Sequence, residues 1–234
     1  MIGVLPYPLG GYGSRVSSQN DEDGIIAAII SCIDVPRYFV EFGVDIIQGN
    51  CIELYRAGWA GLFMDAHKGW WVGCPLPIKR ALVTAGNVMD LFEAYRVPGE
   101  FGILSIDIDG QDYWVWRAVT SRPVLVVIEY NGKIGIEHSV VMPRRDDFEL
   151  RRVFIDGDYI GSQFYGASLK ALHGLGEEKG YVLVYANGVN GFFVRRDLLG
   201  NAGDFRYEDV YRRWPTHHID DPYAMGFVDT VARS

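Results

Sequence analysis

Cysteine is scarce in this chain. Cys32, Cys51 and Cys74 are odd in number, widely spaced and form no C-x-x-C pair, so free thiols in a reducing, cytoplasmic setting are the simplest reading. Long apolar runs are missing too. No window approaches the ~18 unbroken apolar residues of a membrane-crossing helix, so no membrane span is expected. The opening stretch, MIGVLPYPLGGYGSRVSSQNDEDG, has no basic start followed by an apolar segment and does not read as a signal peptide. Positive charge is in deficit, with 22 Lys and Arg against 30 Asp and Glu and a net charge of -8. Such a surface repels phosphate backbones, which argues against a nucleic-acid partner. Both common phosphate-cradling loops, G-x-x-x-x-G-K-[ST] and a clean G-x-G-x-x-G, are absent from the sequence.

What remains is a chain of 234 residues, 49% hydrophobic and 22% charged, which suits one sizeable α/β domain. Residues 1–19, rich in Gly, Pro, Ser and Tyr, read as an arm. NDEDGIIAAIISCI then places acids in a first turn ahead of periodic isoleucines, the pattern of an amphipathic helix that Pro36 ends. Strands are expected at 38–42, 60–65, near 81–84, over the apolar run 102–109, and along PVLVVIEYN, which reads as buried on both faces. Helices are expected at 49–57, 87–95 (capped by Asn87), 112–119 and 166–180. YVLVYAN and NGFFVRRD form a strand pair turned at Asn187–Gly188. Strands alternating with helices imply a mainly parallel sheet, and the final hairpin adds one antiparallel strand. Residues 132–163 show no clear period and read as a lid or substrate loop. Residues from 201 form a tail.

Acids fall at the ends of the expected strands: Glu41, Asp65, Asp107 with Asp109, and Glu129. Ligands of open parallel sheets bind beyond those ends, and an acid closing the second strand accepts hydrogen bonds from ribose hydroxyls. Asp65 suits that role. With no loop for phosphates, an adenosine cofactor lacking them fits best, and S-adenosylmethionine is the common one. For any single acid the plainer reading is a helix cap or a solvated loop charge.

Several segments together resemble the FkbM-like group of class I S-adenosylmethionine-dependent methyltransferases. SSQNDEDGIIAAII resembles its first helix. YFVEFGV followed by Asn50, Leu54, Gly58, Trp59, Gly61 and Leu62 resembles its first βαβ unit. VTAGNVMDLF, LSIDIDGQDYWVW with RPVLVVIEYN, and FYGASLKAL with the final hairpin continue the likeness to about residue 200. The resemblance implies a Rossmann-like methyltransferase fold over residues 20–200. It has helices on both faces of a seven-stranded sheet, in the order 3-2-1-4-5-7-6, with strand seven antiparallel. It further implies methyl transfer to an oxygen or nitrogen of a small-molecule acceptor, such as a sugar or secondary metabolite. Glu41 and Gly43 would then lie by the methionine part, Asp65 at the ribose, Asn87 near the adenine, and Asp107 and Asp109 at the catalytic edge. The turn GVDIIQGN departs from the family pattern, because Ile46 and Ile47 stand where small residues let a cofactor approach. A non-catalytic binding or assembly protein on the same fold is therefore the alternative. Nothing in the sequence argues against a homo-oligomer.

The candidate bases for removing the acceptor's proton are Asp109, Glu129, His138 and Tyr130. Packed carboxylates either raise one pKa or hold a divalent metal, and Asp109, Glu129 and Asn131 are the expected ligands for Mg²⁺. Trp70 or Trp71 is placed to cover an adenine.

Overall fold

The computed structural model describes residues 2–44, 48–66, 75–147, 154–155, 158–159 and 163–230. Ile46, Ile47, Trp70, Trp71, Cys74 and much of the expected lid lie outside those residues. Helices are α1 (Glu22–Cys32), α2 (Ile52–Arg56), α3 (Val88–Ala94), α4 (Asp112–Ala118), α5 (Leu169–Glu178) and α6 (Tyr207–Val210). Strands are β1 (Tyr38–Phe42), β2 (Ala60–Asp65), β3 (Ile78–Arg80), β4 (Ile103–Ile106), β5 (Leu125–Glu129), β6 (Val140–Val141), β7 (Phe154–Ile155), β8 (Asp158–Tyr159), β9 (Tyr181–Ala186), β10 (Asn190–Arg195) and β11 (Val228–Asp229).

Seven of these strands form one sheet, in the order β3-β2-β1-β4-β5-β10-β9. Pairings from β3 to β5 are parallel, and β10 runs antiparallel to both β5 and β9. This is a Rossmann-like α/β sheet with its seventh strand reversed between the fifth and sixth. Alternate strand residues point to opposite faces. The unbroken burial of Phe39 to Phe42, Ile103 to Ile106 and Leu125 to Ile128 therefore means both faces of the central strands are covered. Ile25 and Ile29 of α1, Val115 and Trp116 of α4, and Leu172 of α5 join these strands in one core.

The third strand lies at Ile78–Arg80, ahead of the expected 81–84. Asp65 pairs with Arg80, and the Ala81 N–H closes onto the Asp65 carbonyl at 2.9 Å, after which the chain leaves the sheet. The arm and tail are parts of the packed domain. Leu5, Leu9, Phe205 and Val210 sit in the main core, and Gly3 bridges Leu199. The tail also crosses the segment after β5, with β11 pairing β6 around a second cluster of Ile134, Val140, Met142, Ile219 and Phe227.

Candidate functional site

A cleft of about 480 Å³ opens beyond the carboxyl ends of β1, β2, β4 and β5. That is the ligand position of open parallel sheets, and the volume suits a small molecule. Gly43 leaves β1 with φ +77°, and a Cβ there would lie 1.5 Å from the Asp107 carbonyl oxygen. Only glycine permits this approach. It seats the ends of β1, β2 and β4 side by side: the Gly43 N–H donates to the Met64 carbonyl at 3.0 Å, and the Asp107 N–H to Phe42 at 3.2 Å.

Glu41 lines the cleft but is only 3% exposed. Its carboxylate accepts the Asn50 N–H at 2.6 Å and the Cys51 N–H at 3.0 Å, closing the turn that leads into α2. Burial pushes the Glu41 carboxyl up to about 7, against the pull of those two amides. Glu41 thus caps a turn, and Gly49 is the close neighbour: a Cβ there would lie 3.1 Å from a Glu41 oxygen. The arm forms an adjoining wall. The Gly49 N–H donates to the Ser17 carbonyl at 3.0 Å, and Gln19 lines the cleft. Asp23 holds that segment by accepting the N–H groups of Val16, Ser17 and Ser18.

The loop after β4 aims a carboxylate outward. Asp112 is fully buried and accepts the Ile108 and Gly110 N–H groups, each at 2.8 Å. Burial lifts its own carboxyl to about 6. Between those anchors Asp109 takes φ 58°, the left-handed region, and its side chain is exposed at the rim.

One oxygen from each of Asp107, Asp109 and Glu129 lies within 4.8 Å of the others. Burial, then the neighbouring negative charges, pushes the Asp107 and Glu129 carboxyls well above the ordinary range. Glu129 is partly exposed as a residue, yet its Oε2 is shut from solvent and has no hydrogen-bond partner among the described residues. Carboxyls packed this way hold their protons to higher pH than free ones and can exchange them with a substrate. They are also hard oxygen donors at a spacing that fits a divalent ion of the Mg²⁺ type.

The structure brings Glu41, Gly43, Asp65, Asp107, Asp109 and Glu129 to this one cleft. Asn87 stands behind it. Its Oδ1 accepts the Thr84 N–H at 2.8 Å and its Nδ2 donates to the Leu82 carbonyl, so it shapes the loop of Leu82, Val83 and Thr84 that lines the cleft. Asn131 does not reach the cleft lining, contrary to the expected metal ligation. It is fully buried, its Nδ2 donates to the Gln163 and Tyr165 carbonyls, and its Oδ1 accepts the Lys133 N–H. His138, expected as a catalytic base, does not line this cleft either. Its ring lies 3.0 Å from Glu137 and packs edge-on to Tyr223, on the β6–β11 side. Tyr130 is buried, with its hydroxyl donating to the Arg212 carbonyl.

Sequence reasoning missed Asn190. It opens β10, pairs directly with Glu129 and lines the cleft while 2% exposed. Only the insertion of β10 beside β5 brings it there, and no local pattern signals that insertion. Compared with known proteins, the chain matches no family model and no curated protein, so its function is argued from the chemistry of this cleft.

Proposed function

We propose that the protein is an S-adenosylmethionine-dependent methyltransferase acting on an oxygen or nitrogen of a small molecule. The observation that carries this reading is the convergence of Asp65, Asp107, Asp109 and Glu129 on one cleft, beside a glycine-dependent crossing of β1 and β4. Asp65 ends the second strand, where a carboxylate accepts ribose hydroxyls. The acidic rim complements a sulfonium. In the reaction, the acceptor's lone pair forms a bond to the methyl carbon while the carbon–sulfur bond breaks and its electrons pass to sulfur. The acceptor's proton goes to a carboxylate, and Asp109 at the rim and Glu129 across from it are the bases in reach.

Mg²⁺ fits the same three carboxylates, Asp107, Asp109 and Glu129, whose oxygens converge within 4.8 Å. When bound it would supply positive charge that favours a deprotonated acceptor.

Thermal shift with S-adenosylmethionine, S-adenosylhomocysteine and NAD tests the reading. A ligand at about 100 times its Kd adds about 2.7 kcal/mol to the native state. That is about 5–11 °C in Tm for a chain of this size. Both sulfur nucleosides should shift Tm and NAD should not. Asp65→Ala should abolish the shift, and Asp109→Asn should keep it but lose turnover. No shift with either sulfur nucleoside would end the proposal.

A further inference from the structure

Two buried oxygens beside the cleft have no hydrogen-bond partner among the described residues: Glu129 Oε2 and Asn190 Oδ1. Glu129 and Asn190 are direct partners in the β5–β10 ladder, and both line the cleft. Directly paired residues face the same side of a sheet, with Cβ atoms about 5 Å apart.

The Asn190 amide cannot turn over to hide its oxygen. Its Nδ2 donates to Glu22 Oε1 at 3.0 Å, and the Asn187 Nδ2 donates to the same oxygen at 2.9 Å. Glu22 is fully buried, and the Asn20, Asn190 and Asn187 bonds hold its carboxyl below its ordinary value despite burial. A carboxylate only accepts, so a flipped amide would set oxygen against oxygen. Asn190 Oδ1 is therefore fixed as an acceptor directed away from Glu22. A buried acceptor left unsatisfied is unfavourable, and two adjacent ones without a partner among the described residues suit the donors of a ligand.

The sheet order says which part of a substrate meets them. The cofactor half of the cleft, as proposed above, uses β1, β2 and β4. Glu129 and Asn190 lie beyond β4, in the half left to the methyl acceptor. The described cleft lining carries Glu41, Asp65, Asp107, Asp109, Glu129 and Asp146 against the single guanidinium of Arg145, which lies 3.5 Å from Asp147. An anionic acceptor would meet repulsion and find no donors at the pair. A hydroxyl brings one proton for two oxygens. An ammonium brings three donors and no acceptor, and its charge favours the carboxylate form of Glu129.

We propose that Glu129 and Asn190 form the anchoring subsite for a cationic amine on the acceptor molecule. The role of that molecule as acceptor rests on the methyltransferase reading, whereas the subsite's preference for an amine does not.

Calorimetric titration of the full chain tests this with matched probes: glucosamine, glucose and glucuronate, then tyramine, tyrosol and 4-hydroxyphenylacetate. Titrations run in chelated buffer, with and without S-adenosylhomocysteine, and then with Mg²⁺. In at least one set the amine should bind about tenfold or more tighter than its neutral partner, the worth of a charge-assisted bond, with the anion weakest. Glu129→Gln should remove most of that preference, and so should Asn190→Leu if it folds. A neutral or anionic probe binding as well as the amine in both sets overturns the proposal. So does silence from both amines at millimolar concentration. Mg²⁺ binding lost in both Glu129→Gln and Asn190→Leu would assign the pair to a metal and overturn it too. Binding of S-adenosylhomocysteine without an amine preference sinks this inference alone. An amine preference without that binding sinks the methyltransferase reading alone.

Discussion

Mild alkali, rather than mild acid, is where the ligand-free protein should weaken. Glu41 is 3% exposed, and burial raises its carboxyl from an ordinary 4.5 to about 7. The unfolded chain releases this proton near 4.5, whereas the native state keeps it until about 7. The contribution is thus fully present below the unfolded value and lost as pH rises through the folded one. A rise of about 2.5 in pKa, at 1.36 kcal/mol for each pH unit, is about 3 kcal/mol. For a domain of this length that is about 6–12 °C in Tm. Asp112, Asp107 and Glu129 are raised by burial as well and carry the same sign. Glu22 and Asp197 are shifted downward, so their contributions change below 4.5 and 3.8, outside this window. His173 acts oppositely near neutrality, because burial lowers it from 6.5, so His173→Asn is the proper background. Urea denaturation in that background, from about pH 5 to about pH 8, should show falling stability. Glu41→Gln should remove a slope of about 1.2 kcal/mol per pH unit near pH 6, falling to about 0.7 at pH 7. Stability that is flat or rising, with the same profile in Glu41→Gln, would refute the reasoning.

Gly43→Ala should be among the most damaging single changes. The left-handed backbone alone costs about 1–2 kcal/mol, and the Asp107 carbonyl leaves no room for the added methyl; a denaturation midpoint near wild type would contradict the crossing described. Asn131→Ala should cost about 1–3 kcal/mol by orphaning buried carbonyls, while leaving affinity for S-adenosylhomocysteine within about twofold, as calorimetry can check. His138→Ala should leave turnover at the wild-type level, because its ring sits against Glu137 and Tyr223 rather than in the cleft. Asp112→Asn should release the Asp109 loop, since the two N–H groups go to different carboxylate oxygens and the amide puts an NH2 donor in place of one of them. Its signature would be lost turnover with S-adenosylhomocysteine binding reduced less than turnover.

The strands were legible where burial on both faces forces continuous apolar runs, as in Leu125–Glu129. Four acids of the rim, Asp65, Asp107, Asp109 and Glu129, were legible for a related reason: a charge that ends such a run is set at the edge of the core, and parallel strands put all such ends on one edge. The three-residue β3 was misplaced because Ile78–Arg80 carries no alternation and follows two prolines. Asn131 and His138 sit where distant segments put them: Asn131 donates to the Gln163 and Tyr165 carbonyls, and His138 packs against Tyr223 of the tail. Val228 and Asp229 pair with β6, and Tyr211 donates to the Ile134 carbonyl, contacts spanning distant parts of the chain. Glu41 shows a further limit, since it reached the cleft yet spends both oxygens on backbone amides, the plainer role that any strand-end acid can take. Asn190 was invisible because its meaning comes from a neighbour on another strand.

The reversed strand has a consequence for biosynthesis. Until Asn190–Arg195 has emerged from the ribosome, β5 presents a bare edge, and β9 does not cover it because its neighbour in the sheet, among the described residues, is β10. A nascent or truncated chain stopping short of that strand therefore displays Leu125, Val126, Val127 and Ile128 as an open template for pairing with other chains. Premature termination in this protein should yield aggregates, and its synthesis should lean on chaperones until the second strand of the hairpin is made.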